Sequence, residues 1–180
     1  SEANWPYTNG RGPGGKEQPV SLSIRLCTAN DAEAVVALSI EAWEPVFQSW
    51  AGILGPDIFS LVYPDWHASQ GGAAEKTCRE ADHYVTWVAE EDGRVVGFLA
   101  TRLNQETKVG EVHMLAVHPD YHNQGIGTSL NRHALDKMRE AGMTVAVVGT
   151  GGDPAHAPAR ASYEKAGYTG LPLVKYFQKL

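Results

Sequence analysis

The stretch EVHMLAVHPDYHNQGIGT, Glu111 to Thr128, is apolar and β-branched in its first half and stops being strand-like at Val117-His118-Pro119. Gln124-Gly125-Ile126-Gly127-Thr128 then lead directly into a long amphipathic pattern. This spacing predicts a strand, a glycine-containing turn and the first turn of a helix. A helix start leaves backbone N–H groups unpaired and carries the positive end of the macrodipole, so the junction is a ready cradle for a phosphate. A nucleotide, a free phosphate and a phosphorylated cofactor all fit that description.

Upstream, the pattern predicts a meander of three antiparallel strands. The first starts at His83, with Tyr84, Thr86 and Val88 alternating against Val85, Trp87 and Ala89. A turn at Glu91-Asp92-Gly93-Arg94 gives Val95 to Leu103, and a polar turn at Asn104 to Lys108 gives Val109 to Val117. A meander before the cradle is not the βαβ unit of a dinucleotide site, and the position that would need a third small residue is Leu130. No GKS or GKT phosphate loop occurs, and Ser129 has no nucleophile-elbow context.

Before the meander, Leu22, Ile24 and Leu26 alternate within a strand at Ser21 to Leu26, and Thr28 to Asp31 supplies capping residues. Ala34, Val35, Leu38, Ala42, Phe47 and Trp50 then mark a first amphipathic helix. Gly52 to Pro56 and Pro64 break the pattern, leaving short helical pieces at Asp57 to Val62 and Ala73 to Ala81. Trp43, Trp50, Phe59, Tyr63 and Trp66 crowd this section and either fill core between helices or wall an acceptor pocket. After the cradle come a helix over Gly127 to Ala141, a strand at Thr144 to Val148, a helix at Pro158 to Ala166 ended by Gly167, and terminal strand material at Tyr168 to Leu180.

The chain has 180 residues, 43% of them apolar, which is enough for one core and argues for one domain over residues 21–180. Residues 1–20, SEANWPYTNGRGPGGKEQPV, have the composition of a flexible tail. A formal charge of −6 and a sequence pI near 5.6 argue against nucleic acid as a partner and suit cationic or amine substrates. Cys27 and Cys78 lie far apart and suggest neither a disulfide framework nor a zinc site. With no membrane-length apolar run and no signal-peptide layout, no membrane partner is expected and the cytoplasm is the expected address.

LAVHPDYHNQGIGT at 115–128 and ARASYEKAGY at 159–168 stand in the order and separation seen in the GCN5-related N-acetyltransferase superfamily, which the chain resembles over residues 22–180. EAWEPVF and HAPARASYEKAGYTGLPLVKYF resemble actinobacterial-type members with no assigned acceptor. The resemblance implies an α/β fold: a mixed, mostly antiparallel sheet of about six or seven strands, splayed at its middle and flanked by about four helices. It implies acetyl-coenzyme A as co-substrate, with the main chain of Leu115, Ala116 and Val117 along the pantetheine arm. His122, Asn123, Gln124, Gly125, Ile126, Gly127 and Thr128 would form the pyrophosphate cradle. His122 stands where the family has arginine or glutamine, so the cradle relies on its backbone. His156 falls where relatives carry an asparagine that touches the cofactor arm.

Amine acetylation needs a base for the ammonium proton and a donor for the departing thiolate. Tyr163 matches the family's acid and Glu111 the position of its base, with His113 in reserve. No metal site is expected, because strand alternation and the turn scatter His113, His118, His122 and Asp120. The implied activity is transfer of acetyl to a primary amine of a small cationic molecule, a polyamine or an aminoglycoside antibiotic, which would make it a resistance activity. Glu41, Glu44, Asp57 and Asp65 are the acids expected around the acceptor. A peptide or protein N-terminus is the alternative acceptor, a non-catalytic acyl-coenzyme A sensor is the alternative from another class, and the resemblance implies a homodimer.

Overall fold

A computed structural model describes residues 22–180; the expectations for the tail and for Ser21 fall outside them. The elements run β1 (Ser23–Leu26), α1 (Ala32–Val62), α2 (Trp66–Arg79), β2 (Val85–Glu91), β3 (Arg94–Asn104), β4 (Val109–Val117), α3 (Ile126–Glu140), β5 (Val145–Val148) and α4 (Ala157–Lys165). Short 3-10 turns at Ala29–Asp31, Pro119–Tyr121 and Pro154–His156 precede α1, the cradle and α4. The strands form one sheet in the order β1-β2-β3-β4-β5, antiparallel until the parallel β4–β5 pair. Asp92 and Gly93, both at positive φ, make the tight β2–β3 hairpin.

Both sheet faces are covered. On one, Val35 and Leu38 of α1 and Ala74 of α2 pack against Val88, Phe98, Ala100, Met114 and Ala116. On the other, Ile126, Leu130, Ala134 and Met138 of α3 pack against Trp87, Ala89, Val96, Leu99 and Val112. The change of face between Val112 and Met114 comes from a bulge. Thr101 pairs with Val112 and Ala100 with Met114, so His113 is the extra residue of β4.

The β4–β5 pairing is short: Val109–Val112 pair with Val145–Val148, and beyond that point the strands part. From His113 to Val117, β4 keeps only β3 as a strand partner among the described residues. This is the splayed sheet of the expected fold.

Three expectations need correction. Among the described residues the sheet has five strands, because Tyr168 to Leu180 forms no strand. Pro172 removes a backbone donor there, and Leu171, Leu173, Val174 and Tyr176 are at least 74% exposed. The helix expected at Ala73 begins at Trp66, where Asp65 accepts a bond from Ala68 N at 3.0 Å. The expected break at Gly52 to Pro56 narrows to Gly55, whose φ of 74° and ψ of 161° kink α1. The fold also brings the two cysteines together, with sulfurs 2.8 Å apart between the end of β1 and the last turn of α2. No helix of the described residues is long and apolar enough to cross a membrane.

Asp31 locks the start of α1 onto the sheet. It receives both terminal nitrogens of Arg25 at 2.8 Å, with Thr28 N and Oγ1 at 2.8 Å, and its side chain is 10% exposed. The Arg25 guanidinium holds the Asp31 carboxyl well below the usual carboxylate range. The native state therefore binds fewer protons than the unfolded chain in acid. Its stabilisation is present above about pH 4 and is lost as pH falls below that. Asp31→Asn is expected to cost about 2 kcal/mol at pH 7. In denaturant titrations it should also lose less stability than wild type between pH 4 and 2.

Candidate active site

A cavity of about 330 Å³ occupies the opening between β4 and β5. Its walls include Trp43 and Trp50 from α1, His113 and Leu115 from β4, Gly149 to Gly151 after β5, and His156 and Tyr163. Of the crowded aromatics, Trp43 and Trp50 line this cavity. Phe47, Tyr63 and Trp66 stand behind them as packing: Phe47 stacks on Trp66 at 4.4 Å and Trp50 on Tyr63 at 5.4 Å. A second hollow of about 510 Å³ lies among β1, β2, β3 and the C-terminal part of α3 and holds none of the candidate residues.

Tyr163 lies on the inward face of α4, 8% exposed. Burial, reinforced by Tyr168, pushes its pKa up to about 12. The phenol is therefore a proton donor across the physiological range. No hydrogen bond engages its hydroxyl among the described residues, while Tyr168 OH is directed to Asn131 Oδ1 at 3.3 Å.

Glu111 does not line the cavity. Arg102, its cross-strand partner, grips the carboxylate with Nε at 3.0 Å and a terminal nitrogen at 3.3 Å. The same guanidinium lies 2.8 Å from His113 Nδ1. Because arginine only donates, Nδ1 of His113 is the acceptor and its proton sits on Nε2. Burial, and then the Arg102 charge, lower the His113 pKa, which keeps the ring neutral.

His156 has the opposite arrangement. Its Nδ1 is 2.5 Å from Asp153 Oδ1, and the carboxylate also accepts from Ser49 Oγ at 2.9 Å, Trp50 Nε1 at 3.2 Å and Ala155 N at 3.1 Å. Burial disfavours the Asp153 anion, but the bonds from His156 and Ser49 prevail and its pKa lies below the ordinary value. Arg160 fixes the same loop by donating to the carbonyls of Gly151 at 2.6 Å and Asp153 at 2.8 Å. Sequence reading missed Asp153. Its signal was Asp153-Pro154-Ala155-His156, a capping residue three positions before a histidine.

The cradle sits at the far end of β4. Asn123 and Gly125 take positive φ, 62° and 81°, and Gly125 starts α3 without a side-chain cap. The N–H groups of Ile126, Gly127 and Thr128 are thus at the open end of a fifteen-residue helix. Ile126 anchors this turn in the core, 4% exposed. Asn123 and Gln124 are exposed, and Gln124 donates to Asp120 O at 3.4 Å. His122 does not reach into the cradle, because its Nε2 lies 3.0 Å from Val117 O. Leu115 and Val117 pack partly toward α3, and Ala116 is buried on the α1 side. The unpartnered β4 edge, the open helix start and Gly127 together suit an extended arm ending in a pyrophosphate.

The expected acidic rim is dispersed. Glu41 lies 3.2 Å from His118 Nε2, Glu44 accepts from Gln48, Asp57 lies 3.5 Å from Lys179, and Asp65 caps α2. None lines the cavity. His113, His118 and His122 engage separate partners, and no group of three potential metal ligands occurs among the described residues.

Residues 49–168 match the family described as Acetyltransferase (GNAT) family. A mycothiol acetyltransferase of Saccharomonospora viridis is 32% identical over 162 residues, covering 81% of this chain and 45% of that protein. The chain thus spans less than half the length of the mycothiol acetyltransferases it matches. Two solved structures share the fold: PaiA N-acetyltransferase from Thermoplasma acidophilum in complex with coenzyme A, and AAC(6')-Iy in complex with the bisubstrate analog CoA-S-monomethyl-acetylneamine. The first has a TM-score of 0.62 at 18% identity, covering 83% of this chain and 90% of that one. The second has a TM-score of 0.60 at 17% identity, covering 89% and 99%.

Proposed function

The chain belongs to the acetyltransferase (GNAT) family, and from that premise we propose that it transfers acetyl from acetyl-coenzyme A to a primary amine seated in the cavity between α1, β4 and α4. The carrying observation is the parting of β4 and β5 after Val112 and Val148, with Tyr163 on the wall of the gap. An extended cofactor arm along His113 to Val117 would complete the sheet there, while the N–H groups of Ile126, Gly127 and Thr128 meet its pyrophosphate. The amine attacks the thioester carbonyl as the carbon–sulfur bond breaks, and Tyr163 supplies the donor at sulfur. The candidates for proton acceptor are Glu111, His113 and His156, on or beside the cavity wall.

The acceptor in this proposal is a small cationic amine, with polyamines and aminoglycosides as candidates. The dispersed carboxylates change the reason for it. Trp43 and Trp50 put aromatic rings on the wall, against which a cationic amine can pack, and a cavity of about 330 Å³ suits one small amine-bearing group. The test measures thiol release from acetyl-coenzyme A with polyamines, aminoglycosides, a mycothiol-related amine and a peptide N-terminus. Turnover with a small amine is expected. Tight acetyl-coenzyme A binding without turnover of any amine would overturn acetyl transfer in favour of a sensor.

A further inference from the structure

We infer that His156, oriented by Asp153, is the general base of the transfer, a role that rests on the acetyltransferase reading above. Both imidazoles in the cavity have their tautomer set by the nearest partner of Nδ1, a group with a single hydrogen-bonding role; at His113, Arg102 at 2.8 Å outcompetes Glu111 Oε1 at 3.8 Å. Arg102 only donates, so His113 spends its lone pair on Nδ1 and presents a protonated Nε2. Asp153, held as a carboxylate, only accepts, so His156 spends its Nδ1 proton and keeps a lone pair on Nε2. Of the two, His156 is therefore the ring able to take a proton. The Glu111 carboxylate is already spoken for by Arg102 and does not line the cavity.

The surroundings hold the ring in one pose. Trp50 stacks on it at 5.9 Å between centroids and donates its indole N–H to the same Asp153 oxygen. Gly151 lies against the pair so closely that a Cβ there would fall on Asp153 Oδ1 and His156 Nδ1. Arg160 pins the backbone on both sides of this contact. An aspartate that orients an imidazole and stabilises the imidazolium is an efficient way to build a base.

The proton inventory closes. The acceptor arrives as an ammonium with three protons. One passes to His156 Nε2, freeing the nitrogen pair that forms the carbon–nitrogen bond. The carbon–sulfur bond breaks, and its electron pair leaves on sulfur, which takes the Tyr163 proton. A second ammonium proton, shed as the amide forms, restores the phenol; the third stays on the amide. His156 then releases its proton to solvent.

Two measurements test this on the full chain. Nitrogen-15 NMR of the imidazoles at neutral pH should find His156 protonated on Nδ1 and His113 on Nε2; a His156 protonated on Nε2 overturns the proposal whatever the acceptor. In turnover assays His156→Gln should lower kcat by about 100-fold or more, with KM for acetyl-coenzyme A within about twofold. His156→Ala should recover at least about tenfold in kcat when free imidazole is added, which a merely structural ring would not do. The loss of kcat in Glu111→Gln should be at least about tenfold smaller than in His156→Gln. Wild-type rates in His156→Gln, or a Glu111→Gln loss as large as that expected for His156→Gln, overturn the base assignment alone. Absence of wild-type turnover with every amine would instead overturn the acetyltransferase reading, leaving the tautomers as the test of the dyad.

Discussion

Tyr163→Phe is expected to lower kcat by about 100- to 1,000-fold, with KM for acetyl-coenzyme A unchanged within about twofold. Phenylalanine keeps the ring that packs edge-on against Tyr168 at 5.6 Å and removes only a hydroxyl with no partner among the described residues. The fold should therefore not suffer, and the thermal midpoint should hold or rise. Only the departing thiolate loses a donor. The pKa of about 12 adds a second readout. It is raised above the unfolded value, so the tyrosine's stabilisation is complete below about pH 10 and is lost as pH rises toward 12. Wild type should lose more stability than Tyr163→Phe over that alkaline window. Unchanged turnover would remove the phenol from the chemistry. An equal loss in kcat and midpoint would make it a packing residue.

The three-strand meander, the cradle and α3 were legible in the sequence because each rests on a local signal. Asp92-Gly93 sets a hairpin, Gly125 a helix start, and Leu130, Ala134 and Met138 a buried stripe. The cavity wall was legible only in part. Trp43 and Trp50 were candidates, but nothing local distinguishes them from Phe47 and Trp66, which pack behind. Arg102 was invisible for another reason: its partner Glu111 lies nine residues away across a hairpin. Asp153 showed only its local link to His156, because its other side-chain partners lie about a hundred residues away on α1, where only the tertiary fold joins them. A carboxylate on the central strand is readable from sequence, whereas the arginine that occupies it is not. The terminal strand expectation failed in the same way: alternating apolar residues predict a strand only where an edge accepts them, and Pro172 interrupts the register.

Gly127→Ala should separate what the fold needs from what a cofactor needs. Gly127 lies inside the first turn of α3, and a Cβ there would meet only Val117 Cγ2, at an ordinary 3.5 Å. The protein alone can therefore accept alanine, and replacing a helical glycine should stabilise it by about 0.5–1 kcal/mol. A pyrophosphate bonded to the first N–H groups of the helix has no such room, because it must approach the backbone itself. Gly127→Ala is thus expected to weaken acetyl-coenzyme A binding by at least about tenfold, some 1.4 kcal/mol, while raising the thermal midpoint. Gly125→Ala supplies the contrast: at φ +81° an alanine is strained, so stability should fall by about 1 kcal/mol. Calorimetric titration of coenzyme A into both variants, beside their melting curves, reads the two effects. Unchanged affinity in Gly127→Ala would move the phosphate site away from this helix start. Opposite signs in stability and affinity would assign the glycine to the ligand, as the imidazole of His122, bonded to Val117 O, requires of a cradle built from backbone.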